Sequence, residues 1–319
     1  AEGVPVPDRY DPDGFRAHVR DNKQRALKPR LMSAKEAVER FVSDGDYLTY
    51  ECNYLMRGAN EVVREVIRQE KKALWVAGKF PYVDVALLVD AGCVSRADCG
   101  FFLSAPPVER ALKDGRLEVY EYSNVIMTLR LQAGAMGVPF LPVRSFGGTD
   151  GFDHSGAKLI VDPYTRLPIT IVPALNPDVA IVHVHQSDIY GNARVFGTGT
   201  SDVESALASK KVIISAEELV DTAEIRRNPG ATSIPYYAVD AVVHSPYGSY
   251  PGTCPGYYGS DPEGVFEVFR ATMGDQVPAY LDKWVRPFET FGQMLEARVG
   301  KAKLEAMRAR ETAREGYSA

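Results

Sequence analysis

The chain has little to build a metal or disulfide scaffold from: four cysteines, five histidines and two tryptophans in 319 residues. Cys52, Cys93, Cys99 and Cys254 form no CxxC pair, which excludes a zinc ribbon or a thioredoxin motif. With no signal-like stretch at the start of the sequence, free thiols in a reducing compartment are expected, hence a cytoplasmic chain. A dense Lys/Arg block is also missing. The balance of 37 basic against 42 acidic residues gives −5, with both signs scattered, so nucleic acid is not an expected partner. The longest apolar runs, such as Val85–Val89, fall far short of a membrane span. No GxGxxG follows a strand pattern, and neither GxxxxGK[ST] nor GxSxG occurs. Dinucleotide, P-loop and α/β-hydrolase readings therefore lose their usual support. No repeat of fixed period is present.

What the sequence does have is alternation. Short apolar runs (Tyr47–Tyr50, Ala73–Ala77, Val94–Cys99, Leu117–Tyr120, Ile169–Val172, Val179–His185, Val212–Ser215, Ala241–Val243) read as strands. Between them lie helical patterns over Ala59–Gln69, Val83–Asp90, Val108–Lys113, Ser123–Met136 and Val203–Ser209, then Phe266–Met273 and Val277–Ala297. Ser33 to Glu36 fits a capping box opening a further helix. This pattern predicts an α/β fold with an open, mostly parallel, doubly wound sheet. Three regions are expected: an extended N-terminal arm over residues 1–31 with one short helix near Gly14–Asn22, a main domain over 32–300, and a charged helical tail over 301–319 read as a solvated end.

Ligands of such sheets sit beyond the carboxyl ends of the strands. The first strand runs into Glu51-Cys52-Asn53-Tyr54 and then Arg57, so a carboxylate, a thiol, an amide and a guanidinium gather where the chemistry is expected. Glu51 reads either as a nucleophile or base, or as the ion-pair partner of Arg57 that shapes the turn. Cys52 has no histidine at hand to act as its base, and would be reactive only if a nearby cation lowered its pKa, for which Arg57 is the one adjacent candidate. His183 and His185 lie two apart on a strand and so share a face. With no third ligand nearby, they read as a satisfied pair rather than a metal site, and no metal is expected. Phe146-Gly147-Gly148 sits in a glycine loop that lets backbone amides approach an anion. Lys79, Phe80, Tyr82, Phe101, Phe102 and Gln186 fall near strand ends. The aromatics among them read as the apolar part of a pocket or as ordinary core.

Taken in order, Asp44-Gly-Asp46, Val66-Ile-Arg68-Gln69, Tyr122-Ser123, Gly137-Val-Pro139-Phe-Leu-Pro142, Val179-Ala-Ile-Val-His183 and Glu217-Glu218 resemble the alpha subunit of class I coenzyme A transferases, glutaconate CoA-transferase above all. Glu224-Ile-Arg-Arg227-Asn-Pro229, Val239–Val243, Pro246-Tyr-Gly248 and Pro251 continue the resemblance, which spans Ser33 to Gly300. It implies a NagB/RpiA/CoA-transferase-like fold and a beta-type partner in a heterodimer or an α2β2 heterotetramer. It also implies an acyl-CoA substrate, with coenzyme A as substrate and no permanently bound cofactor. In two-subunit members the nucleophilic glutamate belongs to the beta chain, and the alpha chain lines the site with a Gly-Gly-Phe turn. That turn falls on Glu51-Cys52-Asn53 here, while Arg57 matches. Related pairs hydrolyse cyclic β-keto acyl-CoA esters with an alpha-chain glutamate just after the strand corresponding to Leu117–Tyr120. Glu121 or Asn124 falls at that place.

Three functions follow as expectations. The first is CoA transfer with the partner's glutamate as nucleophile. The second is acyl-CoA hydrolysis, C–C cleavage included, with Glu51 or Glu121 activating water. The third, of another class, is a non-catalytic subunit that completes a partner's pocket. Cys52, Asn53, Tyr54, Arg57, Lys79, Phe80, Phe102, Phe146, Gly147, Gly148 and Gln186 are the expected substrate-contacting positions.

Overall fold

The computed structural model describes residues 9–50, 55–80, 82–101, 104–197 and 199–312. Eleven strands occur among them: β1 Tyr47–Tyr50, β2 Leu74–Gly78, β3 Val94–Cys99, β4 Glu118–Glu121, β5 Phe140–Val143, β6 Lys158–Val161, β7 Pro168–Pro173, β8 Val179–Ser187, β9 Ala193–Arg194, β10 Lys211–Leu219 and β11 Ala241–His244. Seven of them form a parallel sheet in the order β11-β10-β8-β1-β2-β3-β4, with β9 added antiparallel to β8. The chain winds outward from β1 in one direction, returns through β8, and winds outward in the other.

Period-two alternation splits the sheet between two faces. Leu48, Val179, Ile181 and Ile213 join a core with the helices Ala34–Phe41, Asn60–Arg68, Val83–Asp90 and Pro262–Met273. On the opposite face, Tyr47, Trp75 and Ala77 pack on Ile126, Met127 and Leu131 of the helix Asn124–Met136. Val182, Val212 and Val242 pack there on Ala206 from the helix Asp202–Ala208. Burial on both sides explains why these strands read as unbroken apolar runs.

Three departures from the sequence reading have physical causes. First, β5, β7 and β6 form a separate antiparallel sheet in that order. Pro142 hid β5, since proline within a run argues against a strand, while β7 was expected over Ile169–Val172 but without its antiparallel partners. Second, the helix expected over Val277–Ala297 stops at Trp284 and restarts at Phe291 behind a Thr290–Gln293 capping box. Pro287 sits in the gap and cannot continue a helix. Third, the helix Lys301–Thr312 is not simply solvated. Met307 is fully buried, Lys303 pairs with Asp261 at 2.9 Å, and Arg310 donates to the Ser260 carbonyl at 3.1 Å.

From Arg9 onward the N-terminal segment packs on the domain. Tyr10 donates to the Pro139 carbonyl at 2.6 Å, Lys23 pairs with Asp240 at 2.7 Å, and Leu31 bridges to Val242. The last contact covers edge strand β11, which would otherwise present unpaired backbone.

The expected capping box is present in full. Glu36 N donates to Ser33 Oγ at 3.2 Å, and Ser33 N donates to Glu36 Oε2 at 2.9 Å. Replacing Ser33 with Ala should cost about 1 kcal/mol. Chemical denaturation measures it as a lower midpoint at unchanged slope; a shift within error would mean the cap is not needed in solution.

Candidate active site

Strand order reverses between β8 and β1, which are direct neighbours: Leu48, Thr49 and Tyr50 pair with Val179, Ala180 and Ile181. The crevice beyond their carboxyl ends is where an open α/β sheet takes its ligand. Glu51, Cys52, Asn53 and Tyr54 occupy that place in the chain but lie outside the described residues, as does Phe102.

Arg57, three residues further, is held firmly. Its guanidinium is 2 % exposed and makes a two-pronged pair with Asp202, Nη1 to Oδ1 at 2.9 Å and Nη2 to Oδ2 at 3.2 Å. Nη1 also reaches the His183 carbonyl at 3.4 Å, and the Arg57 amide donates to Thr253 O at 2.7 Å. Its φ of +50° is a left-handed conformation that a side chain adopts at some cost. Arg57 is thus fastened to β8, to the helix Asp202–Ala208 and to the loop around Thr253. Asp202 gave no sequence signal, because it lies 145 residues from its partner.

Below the turn, β8 and β10 carry a buried polar network. His183 bonds Ser215 through Nδ1 at 2.9 Å and Glu217 through Nε2 at 2.8 Å. Glu217 also accepts from the amides of Tyr247 at 2.6 Å and Gly248 at 3.1 Å, and from the Tyr258 hydroxyl. Gly248 cannot carry a side chain, since a Cβ there would lie 2.7 Å from the His183 ring. His183 and His185 do share a face, but they part company in function. His185 bonds the Pro255 carbonyl at 3.0 Å and accepts from Phe196 N at 3.0 Å, and burial pulls its pKa down to about 4. Cys254 joins His183 and Glu217 within 4.8 Å, donors that the sequence did not bring together. Those two already bond one another, so the group reads as a hydrogen-bond network that orients the 245–258 loop. Next to it, Ser245 donates to Glu61. Burial, with Glu65 and Glu217 nearby, outweighs that bond and pushes the Glu61 carboxyl up to about 7.

On the β2 side, Lys79 donates to Ser201 Oγ at 2.9 Å. Lys79 and Arg57 therefore converge on adjacent residues, Ser201 and Asp202. Lys79, Ser201 and Asp202 line a cavity of about 480 Å³ with Thr128, Gly199 and Thr200. Phe80 and Phe101 are half-exposed and lie 5.8 Å apart, centroid to centroid, beyond β2 and β3. Gln186, near the end of β8, bonds Glu218 at 2.9 Å and accepts from Arg194. The other expected positions lie apart from this group. Glu121 ends β4, three strands from β1, exposed, with its amide on the His154 carbonyl. Asn124 opens the following helix with its buried Oδ1 unbonded. Phe146 stacks on Tyr122 at 6.1 Å, and a Cβ on Gly147 would meet Thr170 of β7 at 2.5 Å. Gly148, at φ +80°, has open space around it, so this loop belongs with the small antiparallel sheet.

Residues 31–245 match the family described as Coenzyme A transferase, two thirds of the chain. The chain belongs to the coenzyme A transferase family. Within it, a subunit of the 3-oxoadipate CoA-transferase of Pseudomonas knackmussii is 31% identical over 86% of this chain and 99% of its own. The crystal structure of glutaconate coenzyme A-transferase from Acidaminococcus fermentans superposes with a TM-score of 0.81 at 27% identity, covering 88% of this chain and 95% of that one. The cholesterol ring-cleaving hydrolase IpdA subunit of Rhodococcus jostii is 30% identical over 63% of this chain and 73% of its own. The coenzyme A transferase fold expected from the resemblance is the fold observed. Among the described residues no helix is long and apolar enough to cross a membrane.

Proposed function

We propose that this coenzyme A transferase chain is the alpha subunit of a two-subunit enzyme that moves CoA between an acyl-CoA and a carboxylic acid. The observation that carries the reading is the anchoring of Arg57, by Asp202 and the His183 carbonyl, just after the central strand β1 of a sheet that matches a CoA-transferase structure. Likeness to proteins that are themselves single subunits of CoA-transferases supports a second, beta-type chain as partner, in a heterodimer or an α2β2 heterotetramer.

The nucleophile is a glutamate of that partner. Its carboxylate attacks the thioester carbonyl and expels CoA thiolate, leaving an acyl–glutamyl anhydride. The thiolate then attacks the glutamyl carbonyl, releasing the acid and leaving a glutamyl-CoA thioester. The acceptor carboxylate repeats the two steps in reverse. A carboxylate is a weak nucleophile, so the rate depends on an enclosed and oriented site. In this reading Glu51, Cys52, Asn53, Tyr54 and Arg57 form the wall that this chain supplies. Lys79, Phe80 and Gln186 stand near the substrate.

Hydrolysis is the second reading. It is favoured by larger polar side chains, Glu51-Cys52-Asn53, at the place of a glycine turn, and by a relative named as a ring-cleaving hydrolase. Co-purified with its partner and given acyl-CoA alone, the enzyme should accumulate a glutamyl-CoA adduct that borohydride reduces and hydroxylamine cleaves. It should release free acid and CoA only at a trace rate. Steady consumption of the ester without acceptor, and no adduct, would replace transfer by hydrolysis.

A further inference from the structure

The loop that joins β11 to the helix Pro262–Met273 is laced to the segment around Arg57. Arg57 N donates to the Thr253 carbonyl at 2.7 Å, and Thr253 N donates to the Leu55 carbonyl at 2.9 Å. Asn60 Nδ2 reaches Ser249 O at 2.8 Å, Ser249 Oγ reaches Gly58 O at 2.8 Å, and Glu61 N donates to Gly248 O at 3.2 Å. The backbone of one segment therefore follows the other. The loop does not keep its shape by local preference alone. Tyr247 sits at φ +58°, a conformation that a side chain adopts at some cost, so surrounding contacts must impose it.

Tyr258 supplies several of those contacts and is fully buried. Its hydroxyl donates to Glu217 of β10 and accepts from Ser249 N at 3.0 Å. Its carbonyl accepts from Thr253 Oγ1 at 2.7 Å and from Cys254 N at 3.1 Å, and its ring lies 4.8 Å from that of Tyr247. Beside it, Gly259 N donates to the Met307 carbonyl at 3.1 Å, which fixes the far side of the loop on the helix Lys301–Thr312. Burial, with the Glu217 charge next to it, holds the phenol pKa well above its ordinary value, so the hydroxyl remains a donor. Tyr258 does not line the cavity of about 480 Å³, and it stands past residue 245, where the match to the family ends.

We propose that Tyr258 is a positioning residue: acting through Thr253, it sets the place of Arg57 and thereby the rate of the reaction. The effect on rate rests on the transferase reading, whereas the effect on Arg57 does not. A reaction that depends on an enclosed, oriented site loses rate when a wall shifts by a fraction of an ångström, even where substrate still binds. Tyr258→Phe is the mild change that isolates this role. It keeps the ring and leaves Glu217 its bonds to His183 and to the amides of Tyr247 and Gly248.

The two-subunit enzyme is assayed with acetyl-CoA as donor and glutaconate as acceptor, and the Arg57 amide is followed by hydrogen exchange in the same complex. Tyr258→Phe should lower kcat and kcat/KM together by roughly 10- to 100-fold with KM little changed. The Arg57 amide, bonded to Thr253 O, should exchange at least roughly tenfold faster. Thr253→Val, which removes the Oγ1 bond to Tyr258 and keeps the backbone bonds to Arg57 and Leu55, should move both readouts the same way by a smaller factor. It also carries the test if Tyr258→Phe fails to fold. Ser33→Ala, which weakens a helix cap away from this loop, should move neither. A Tyr258→Phe enzyme with wild-type kcat, or an unchanged Arg57 amide in either loop variant, would overturn the proposal. Losses matched by Ser33→Ala would make the effect one of general stability and overturn it too. If the wild type moves no CoA between these two compounds, the transferase reading loses its support and the Arg57 amide alone decides for or against Tyr258.

Discussion

Asp202→Ala is expected to destabilise the fold by about 3–5 kcal/mol and to abolish activity of the two-subunit enzyme. The pair it breaks is 2 % and 3 % exposed, so the Arg57 guanidinium would be left charged and out of reach of water. Guanidinium stays protonated in proteins, so it cannot escape the cost by losing its proton. Arg57 would lose its tie to the helix Asp202–Ala208. Because the cost comes chiefly from a buried charge that has lost its Asp202 carboxylate, removing both partners should hurt less than removing one. The double variant R57M/D202L should be more stable than either single change in urea unfolding, while remaining inactive because the turn is no longer pinned. A single-variant cost under about 1 kcal/mol would mean that water reaches the pair and that the turn is loosely held.

That pair also marks the boundary of what could be read from the sequence. The parallel sheet was legible because its central strands, buried on both faces, are largely apolar, and β1 and the helix Val83–Asp90 fall where their patterns place them, as does β3 despite Ser95, Arg96 and Asp98. For the site the sequence offers a candidate place: Glu51–Arg57 follows a central strand, and an open sheet takes its ligand beyond the carboxyl ends of such strands. Its internal wiring was not legible. Asp202 meets Arg57 across 145 residues, and Glu217 meets His183 across 34, through sheet order that no local pattern encodes. Pro142 hid β5, although the break at Pro287 obeys a rule the sequence states openly. His183 and His185 share a strand face as expected. The partners that define them come from β10 and from the 245–258 loop, both distant in sequence.

Glu61→Gln should stabilise the protein at alkaline pH and do little at mildly acid pH. The Glu61 carboxyl has an ordinary value of 4.5 and is pushed up to about 7 in the fold, chiefly because burial penalises its charge. The folded state therefore holds this proton more tightly than the unfolded chain. Its share of stability is complete below pH 4.5, declines as pH rises, and is gone above about 7. The full span corresponds to roughly 3 kcal/mol at pH 8 and to less than about 1 kcal/mol at pH 5. Asp84, buried and pushed up to about 6, adds a loss in the same direction over a lower window. His185 opposes both. Its neutral form is favoured by burial, so its contribution grows as pH rises through the range from about 4 to its ordinary 6.5. The wild-type pH profile is thus a sum of opposing slopes, and only the difference between wild type and variant isolates Glu61. Glutamine keeps an acceptor for the Ser245 hydroxyl and is neutral in both states, so it should unfold at a higher urea concentration than wild type at pH 8, with the two curves closing at pH 5. A gap that stays constant across pH would show that Glu61 titrates at its ordinary value and that water reaches it beside Ser245.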